Sequence, residues 1–376
     1  MYRYLSLILL LILTNTLFAQ REETQIKVAL LNYIEGTSYN RTELIDKAFY
    51  PGANLYLENK EKEMWIVPAG TYTGWFKNNE GQFNGRFGNI LSIDHFNSIA
   101  SARVEILIPA RNLRFIDMFL LKKIDNEWKI VSKSASSESS NLTGDRVLFV
   151  VSNAHYYGDS ELSTGNSFSE IVIAYHTFKE AGFNVDFVSP EGGSIPVAYL
   201  NTSVDIHKQY LYDADFMYKL KNTKSPAEIH PENYKAVQYI GGGSAMFGVP
   251  ENEQIQKLVM SIYEDHDGII SSVCHGTAGI VNLKTKDGEY LVKGKNVNGY
   301  PDVYERHDAE YYKTFPFNIQ ETIEKHGGTF KFSPRNTEHV EVHGNLVTGQ
   351  NHLSSRAVAL EIIRKLRNNN MEALGE

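Results

Sequence analysis

The sequence predicts a chain of two domains that differ in class: an α+β domain with helices packed on a curved antiparallel sheet, then an α/β sandwich built on a parallel sheet. Three observations carry this. At 376 residues the chain exceeds the roughly 250 at which one hydrophobic core stops growing. Its first third places short helical patterns ahead of long, partly alternating strands. The remainder alternates nearly continuous apolar strands with helices, the pattern of a parallel sheet covered on both faces.

Residues 1–19 combine Arg3, the apolar run Leu5 to Leu13 and a small residue, Ala19. The run is shorter than the ~20 residues needed to cross a bilayer, so it reads as a secretory signal cleaved before Gln20. An uncleaved anchor is the alternative. The mature protein is expected to be exported, periplasmic or secreted, with no membrane attachment after cleavage.

In the first domain, residues 20–133, helices fit 23–33 and 41–49, and strands fit 54–57, 90–95, 99–109, 114–122 and 128–131. Ser132 to Asn141 holds six serines in ten residues and no large apolar side chain, so residues 134–143 read as a flexible linker. In the second domain, residues 144–376, strands fit 146–152, 183–189, 234–240, 268–273 and 339–342, with a helix over 167–181. Ligands of such sheets bind beyond the carboxyl ends of the strands. Two of those ends stand out: Tyr239-Ile-Gly-Gly-Gly-Ser-Ala-Met246, where glycines permit close backbone approach, and Val273-Cys-His-Gly276, where a strand meets a helix start.

Composition narrows the function. A formal charge of −8 with no long basic run lacks the footprint of a nucleic-acid binder. The single cysteine excludes an internal disulfide and a cysteine-rich zinc knuckle. Cys274 is then either a packed core thiol, as buried cysteines commonly are, or a nucleophile. A helix N-terminus behind it is expected to lower its pKa, His275 can act as acid or base, and Gly276 permits the tight turn.

These residues resemble the nucleophile elbow of the ThiJ/PfpI superfamily, a class I glutamine-amidotransferase-like group with a flavodoxin-like sandwich, over roughly 144–367. The most similar branch is that of glyoxalase III and the heat-shock chaperones, in which Thr-Gly precedes an acidic residue on the first helix. Thr164-Gly-Asn-Ser-Phe-Ser-Glu170 keeps that spacing. The first domain, through Lys47-Ala-Phe49, Phe115 to Lys122 and Glu127-Trp-Lys-Ile-Val131, is similar to the lumazine-binding branch of the SnoaL-like, nuclear-transport-factor-like cone fold. That fold either encloses a small ligand or serves in dimerisation. Asp117, His95 and Trp65 are candidate pocket residues there, with a structural role as the alternative.

The resemblance implies an enzyme acting on a small reactive carbonyl without metal, nucleotide or glutathione, most simply converting methylglyoxal to lactate. Cys274 would be the nucleophile, Glu170 the proton-sharing acid, and His275 the supporting base. Amides near Gly242 and Gly243 would hold the oxyanion, with Gly276 shaping the elbow. A glutamate near a helix start is otherwise a dipole-favoured surface residue. A deglycase or amidase on related substrates, or a holdase chaperone with little turnover, are the alternatives, and a homodimer fits the first domain.

The sequence departs from the family pattern at Ile240, at Gly243 where histidine is usual, at Asn298 to Tyr304, at Gln320 and at His352. Substrate contacts are therefore less legible than the nucleophile. His339, Glu341 and His343 share one face of a strand and could hold zinc, although an exposed edge explains the same alternation. Asp302, Glu305, Arg306, His307 and Asp308 could line a cleft, but a charge-rich loop is usually solvated.

Overall fold

The computed structural model describes residues 22–374 apart from 60 and 62. The proposed signal segment, 1–19, lies outside the described residues. The chain divides between Gly144 and Asp145 into two compact units.

The first unit opens with a helix over residues 22–38, α1. Ile26, Ala29, Leu30 and Tyr33 recur at helical spacing and are buried. Helix α2 follows over Thr42–Ala48, then β1 (Phe49–Glu58), β2 (Met64–Pro68), β3 (Phe87–Phe96), β4 (Ile99–Ile108), β5 (Leu113–Ile124) and β6 (Glu127–Ser139). They form one sheet in the order β2-β1-β6-β5-β4-β3, antiparallel except where β1 runs parallel to β6. Asp125 and Asn126, both at positive φ, close the β5–β6 hairpin as a two-residue loop requires.

The serine-rich segment is not a linker. β6 continues through it to Ser139, with Leu113 opposite Ser139 on β5 and Tyr56 opposite Ser134 on β1. A strand needs backbone partners on both sides, which composition cannot reveal. An extra residue at Val131 shifts the inward set from Trp128 and Ile130 to Lys133, leaving Ser134 and Ser136 facing out. Only residues 140–145 lie outside regular structure at the joint.

Lys133 explains Asp117. Both are buried, Asp117 Oδ2 pairs with Lys133 Nζ at 3.1 Å, and it accepts from the Tyr33 hydroxyl at 2.6 Å. His95 and Trp65 do not join it: they sit on β3 and β2, the opposite edges of the sheet, and Trp65 stacks on Trp75.

The second unit is built on β7 (Arg146–Val150), α3 (Phe168–Glu180), β8 (Asn184–Val188), β9 (Tyr234–Tyr239), α4 (Glu253–Asp265), β10 (Ile269–Val273), β11 (Val340–His343), β12 (Leu346–Gly349) and α5 (Ser355–Leu374). The sheet order is β11-β12-β10-β9-β7-β8, parallel apart from the β11–β12 hairpin. Two apolar clusters cover its faces, one with Phe168, Ile171, Phe178, Val358 and Ile362 of α3 and α5, the other with Ile255, Val259 and Ile262 of α4. Successive strands are laid down in opposite directions from β7, so a crevice opens at the carboxyl ends of β7 and β9. The glycine triplet follows β9, α3 follows β7, and Cys274 follows β10 next door.

Candidate active site

Ser167 caps α3, its hydroxyl accepting from the Glu170 amide at 3.4 Å. Glu170 thus stands in the first turn, and it is not a surface residue, being only 1% exposed. The Gly241 amide donates to its Oε2 at 2.8 Å, and Ser167 in turn donates its amide to the Gly241 carbonyl. Burial pushes the Glu170 carboxyl up to about 7, against the opposing pull of the Gly241 amide, His275, Cys274 and Ser167.

Cys274 opens a 3-10 helix, Cys274–Ile280, rather than an α-helix, and its φ of +57° is a conformation that side chains other than Asn and Asp seldom adopt. A chain of hydrogen bonds runs beneath this elbow from Ser272 through Thr277 and Asn298 to Thr348, tying β10 to β12. The thiol departs from expectation. Burial, then the Glu170 charge and hydrogen bond, push it well above its usual range, and only the His275 amide pulls the other way. A seven-residue 3-10 helix offers little dipole against that desolvation.

His275 Nδ1 lies 3.6 Å from the Cys274 sulfur, and its Nε2 lies 2.7 Å from Glu305 Oε1. The carboxylate accepts, so Nε2 carries the hydrogen and Nδ1 turns a lone pair toward the thiol. Tyr300 stacks on the imidazole at 4.8 Å, and the Tyr311 hydroxyl donates to the other Glu305 oxygen. Glu305 corrects the reading of residues 302–308 as a solvated loop, since its side chain is 6% exposed. Nothing in a run of mixed charges marks one carboxylate as the partner of a histidine thirty residues away.

The glycines divide by role. A Cβ at Gly241 would lie 2.7 Å from Glu170 Oε2 and 2.9 Å from the Cys274 Cβ, so this residue, not one of the two singled out in the sequence, lets acid and thiol meet. Gly242, at φ +101°, packs on the Gly165 carbonyl, and Gly243 leaves the space that the Tyr157 hydroxyl and Thr164 fill. Gly276 lies against the Tyr239 carbonyl and shapes the elbow. His339 Nε2 meets Glu341 Oε1 at 2.8 Å, and no group of three metal-type side chains forms among the described residues.

Residues 162–365 match the DJ-1/PfpI family model, and residues 21–135 match the model described as "Putative lumazine-binding". The glutathione-independent glyoxalase hsp3102 of Schizosaccharomyces pombe is 30% identical over 233 residues, covering 57% of this chain and 95% of that protein. The glutathione-independent glyoxalase HSP31 of Saccharomyces cerevisiae is 28% identical over 228 residues, covering 57% and 93%. The crystal structure of glyoxalase III from Candida albicans superimposes with a TM-score of 0.53 at 24% identity, over 59% of this chain and 97% of that one, a likeness of fold.

Proposed function

This chain belongs to the DJ-1/PfpI family, and on that premise we propose that it is a glutathione-independent glyoxalase converting methylglyoxal to lactate through Cys274. One observation carries the reading: a buried carboxyl, Glu170, is held beside the thiol at a pKa of about 7, the value a base needs to lift a proton from carbon at neutral pH.

Cys274 sulfur adds to the aldehyde carbon, C1. The thiol proton passes to Glu170 and then to the C1 oxygen, leaving a hemithioacetal. Amides of Gly242 and Gly243 hold that oxygen while it is negative. Glu170 then removes the C1 hydrogen as a proton, and the freed electron pair forms the C1–C2 double bond of an enediol. His275 Nδ1, fixed by Glu305, carries the hydroxyl proton from the C1 oxygen to the C2 oxygen. Glu170 returns its proton to C2, giving the lactate thioester of Cys274. Water hydrolyses this ester, releasing lactate and the thiol. The direct test is lactate formation from methylglyoxal with no glutathione present, lost in Cys274→Ala; a wild-type protein that makes no lactate sinks the reading.

The proposal extends to the whole chain. Export is supported by the short apolar run ending at Ala19, and a secreted form beginning at Gln20 is its test. Pairing of two copies is supported by the outward sheet face of the first unit, where Tyr56 of β1, Ile66 of β2, and Met118 and Leu120 of β5 are exposed. Light scattering that returns a single-chain mass rules it out.

A further inference from the structure

The glycine turn after β9 carries the amides proposed to hold the oxyanion, and its first and last glycines are crowded by different neighbours. At Gly241 these are the acid and the thiol. At Gly243 they come from another segment. A Cβ there would overlap the Tyr157 hydroxyl and lie 2.5 Å from ring carbon Cε1 of that tyrosine and 2.6 Å from Thr164 Oγ1.

That segment is a short hairpin between β7 and α3. The Tyr157 amide donates to the Leu162 carbonyl at 2.9 Å, the Thr164 amide to the His155 carbonyl at 2.8 Å, and Tyr156 is bridged to Ser163. Tyr156 is exposed, whereas Tyr157 is half-buried. Gly165 follows at once, and its carbonyl is the group on which Gly242 packs. The hairpin is thus seated on the glycine turn at two successive glycines.

The Tyr157 ring also reaches the supports of the base. Its centroid lies 5.4 Å from that of Tyr311, 6.1 Å from Phe315 and 6.3 Å from Phe247. The Tyr311 hydroxyl donates to Glu305 Oε2 at 3.1 Å, and Phe315 stands edge-on to the His275 ring at 5.6 Å. One side chain therefore meets the oxyanion turn with its hydroxyl and the neighbours of the His275–Glu305 pair with its ring. A tyrosine has few rotatable bonds, so it holds such contacts at a fixed spacing with little loss of entropy.

We propose that Tyr157 is a positioning residue that spaces the two halves of the site, seating the Gly243 turn with its hydroxyl and holding Glu305 and His275 in place through Tyr311 and Phe315. It touches no reacting atom and acts through these neighbours. This rests on the glyoxalase reading and adds the residue that keeps the oxyanion amides and the base in register.

The test is a pair of double-mutant cycles on the full chain, with kcat and KM for methylglyoxal and a urea melt for every variant. Alanine keeps the amide of residue 243, so Gly243→Ala acts only through the methyl group it presses on Tyr157 and Thr164. Gly243→Ala, Tyr311→Leu and Tyr157→Leu should each lower kcat roughly 10- to 100-fold with KM held within about twofold, as expected of misplaced catalytic groups. In the Tyr157→Leu background, neither of the other changes should lower kcat by more than about twofold further, because the contact each would disturb is already gone. The Thr164 hydroxyl, buried without a hydrogen-bond partner, can turn aside from the new methyl group. If leucine at 157 unfolds the chain, Tyr157→Phe keeps the ring and drops the hydroxyl: it should absorb part of the Gly243→Ala loss and leave the Tyr311→Leu loss whole. Losses that multiply in both cycles, a Tyr157→Leu protein with wild-type kcat, or a change confined to KM overturn this proposal alone. A wild type that makes no lactate overturns the glyoxalase reading and this proposal with it.

Discussion

His275 and Glu305 meet at 2.7 Å through the imidazole Nε2, across thirty residues of sequence. Because the carboxylate fixes which nitrogen carries the hydrogen, it governs whether the other can accept from thiol or substrate. Glu305→Gln keeps the shape but offers an amide in place of an anion. We expect kcat for methylglyoxal to fall roughly 10- to 100-fold, with little change in KM. Unchanged kcat in steady-state assays would remove Glu305 from the site.

The role proposed for Glu170 carries an expected pH dependence. With its carboxyl at about 7, the base form grows as pH rises through neutrality, so kcat/KM should climb with a midpoint near 7. Glu170→Gln should abolish both the activity and the limb.

The same group affects stability in the opposite sense. Its carboxyl is raised on folding from an ordinary 4.5 to about 7, so the folded state favours the protonated form. That advantage is complete below pH 4.5 and is lost as pH rises through 7. Above that, ionising the buried group costs on the order of 3 kcal/mol. Urea melts at pH 5 and pH 8 should show Glu170→Gln gaining on the wild type by up to that amount at the higher pH.

Gly241→Ala places a methyl group against Glu170, the Val273 carbonyl and Cys274 at once. Two of these contacts are fixed by backbone. The variant should lose about 1–3 kcal/mol in denaturant melts and most of its turnover. Full activity would show that the acid and the thiol do not need this close approach.

In the first unit, Asp117→Ala strips the partner from buried Lys133. Leaving an unpaired buried charge costs about 3–5 kcal/mol, so the unit ending at Gly144 should unfold early in a thermal melt. Replacing both residues with apolar ones should restore much of the loss.

Most of the architecture was legible because apolar periodicity is a local signal: α1, β4, β5, β7, β9 and β10 all read correctly from their side-chain patterns. β6 was read only over 128–131, since what holds Ser134 and Ser136 is the ladder to strands on either side, invisible to composition. The two short strands β2 and β12 lacked the length to show a period. At the site, the elbow was marked by residue types at a strand end, and Glu170 by the resemblance of the segment Thr164 to Glu170 to the family pattern. Glu305 was hidden because tertiary folding alone brings it to His275. The thiol's pKa was misjudged for the same reason, since its burial and its carboxylate neighbour outweigh a local dipole.

The raised thiol pKa also bears on how long the enzyme survives. Peroxides oxidise thiolate far faster than thiol, and the progress from sulfenic to sulfinic acid begins with that anion. A sulfur that stays protonated until an aldehyde arrives offers oxidants little to attack between turnovers. For a chain with one cysteine and no resolving partner, a thiol that rests in the neutral form is shielded from that irreversible loss.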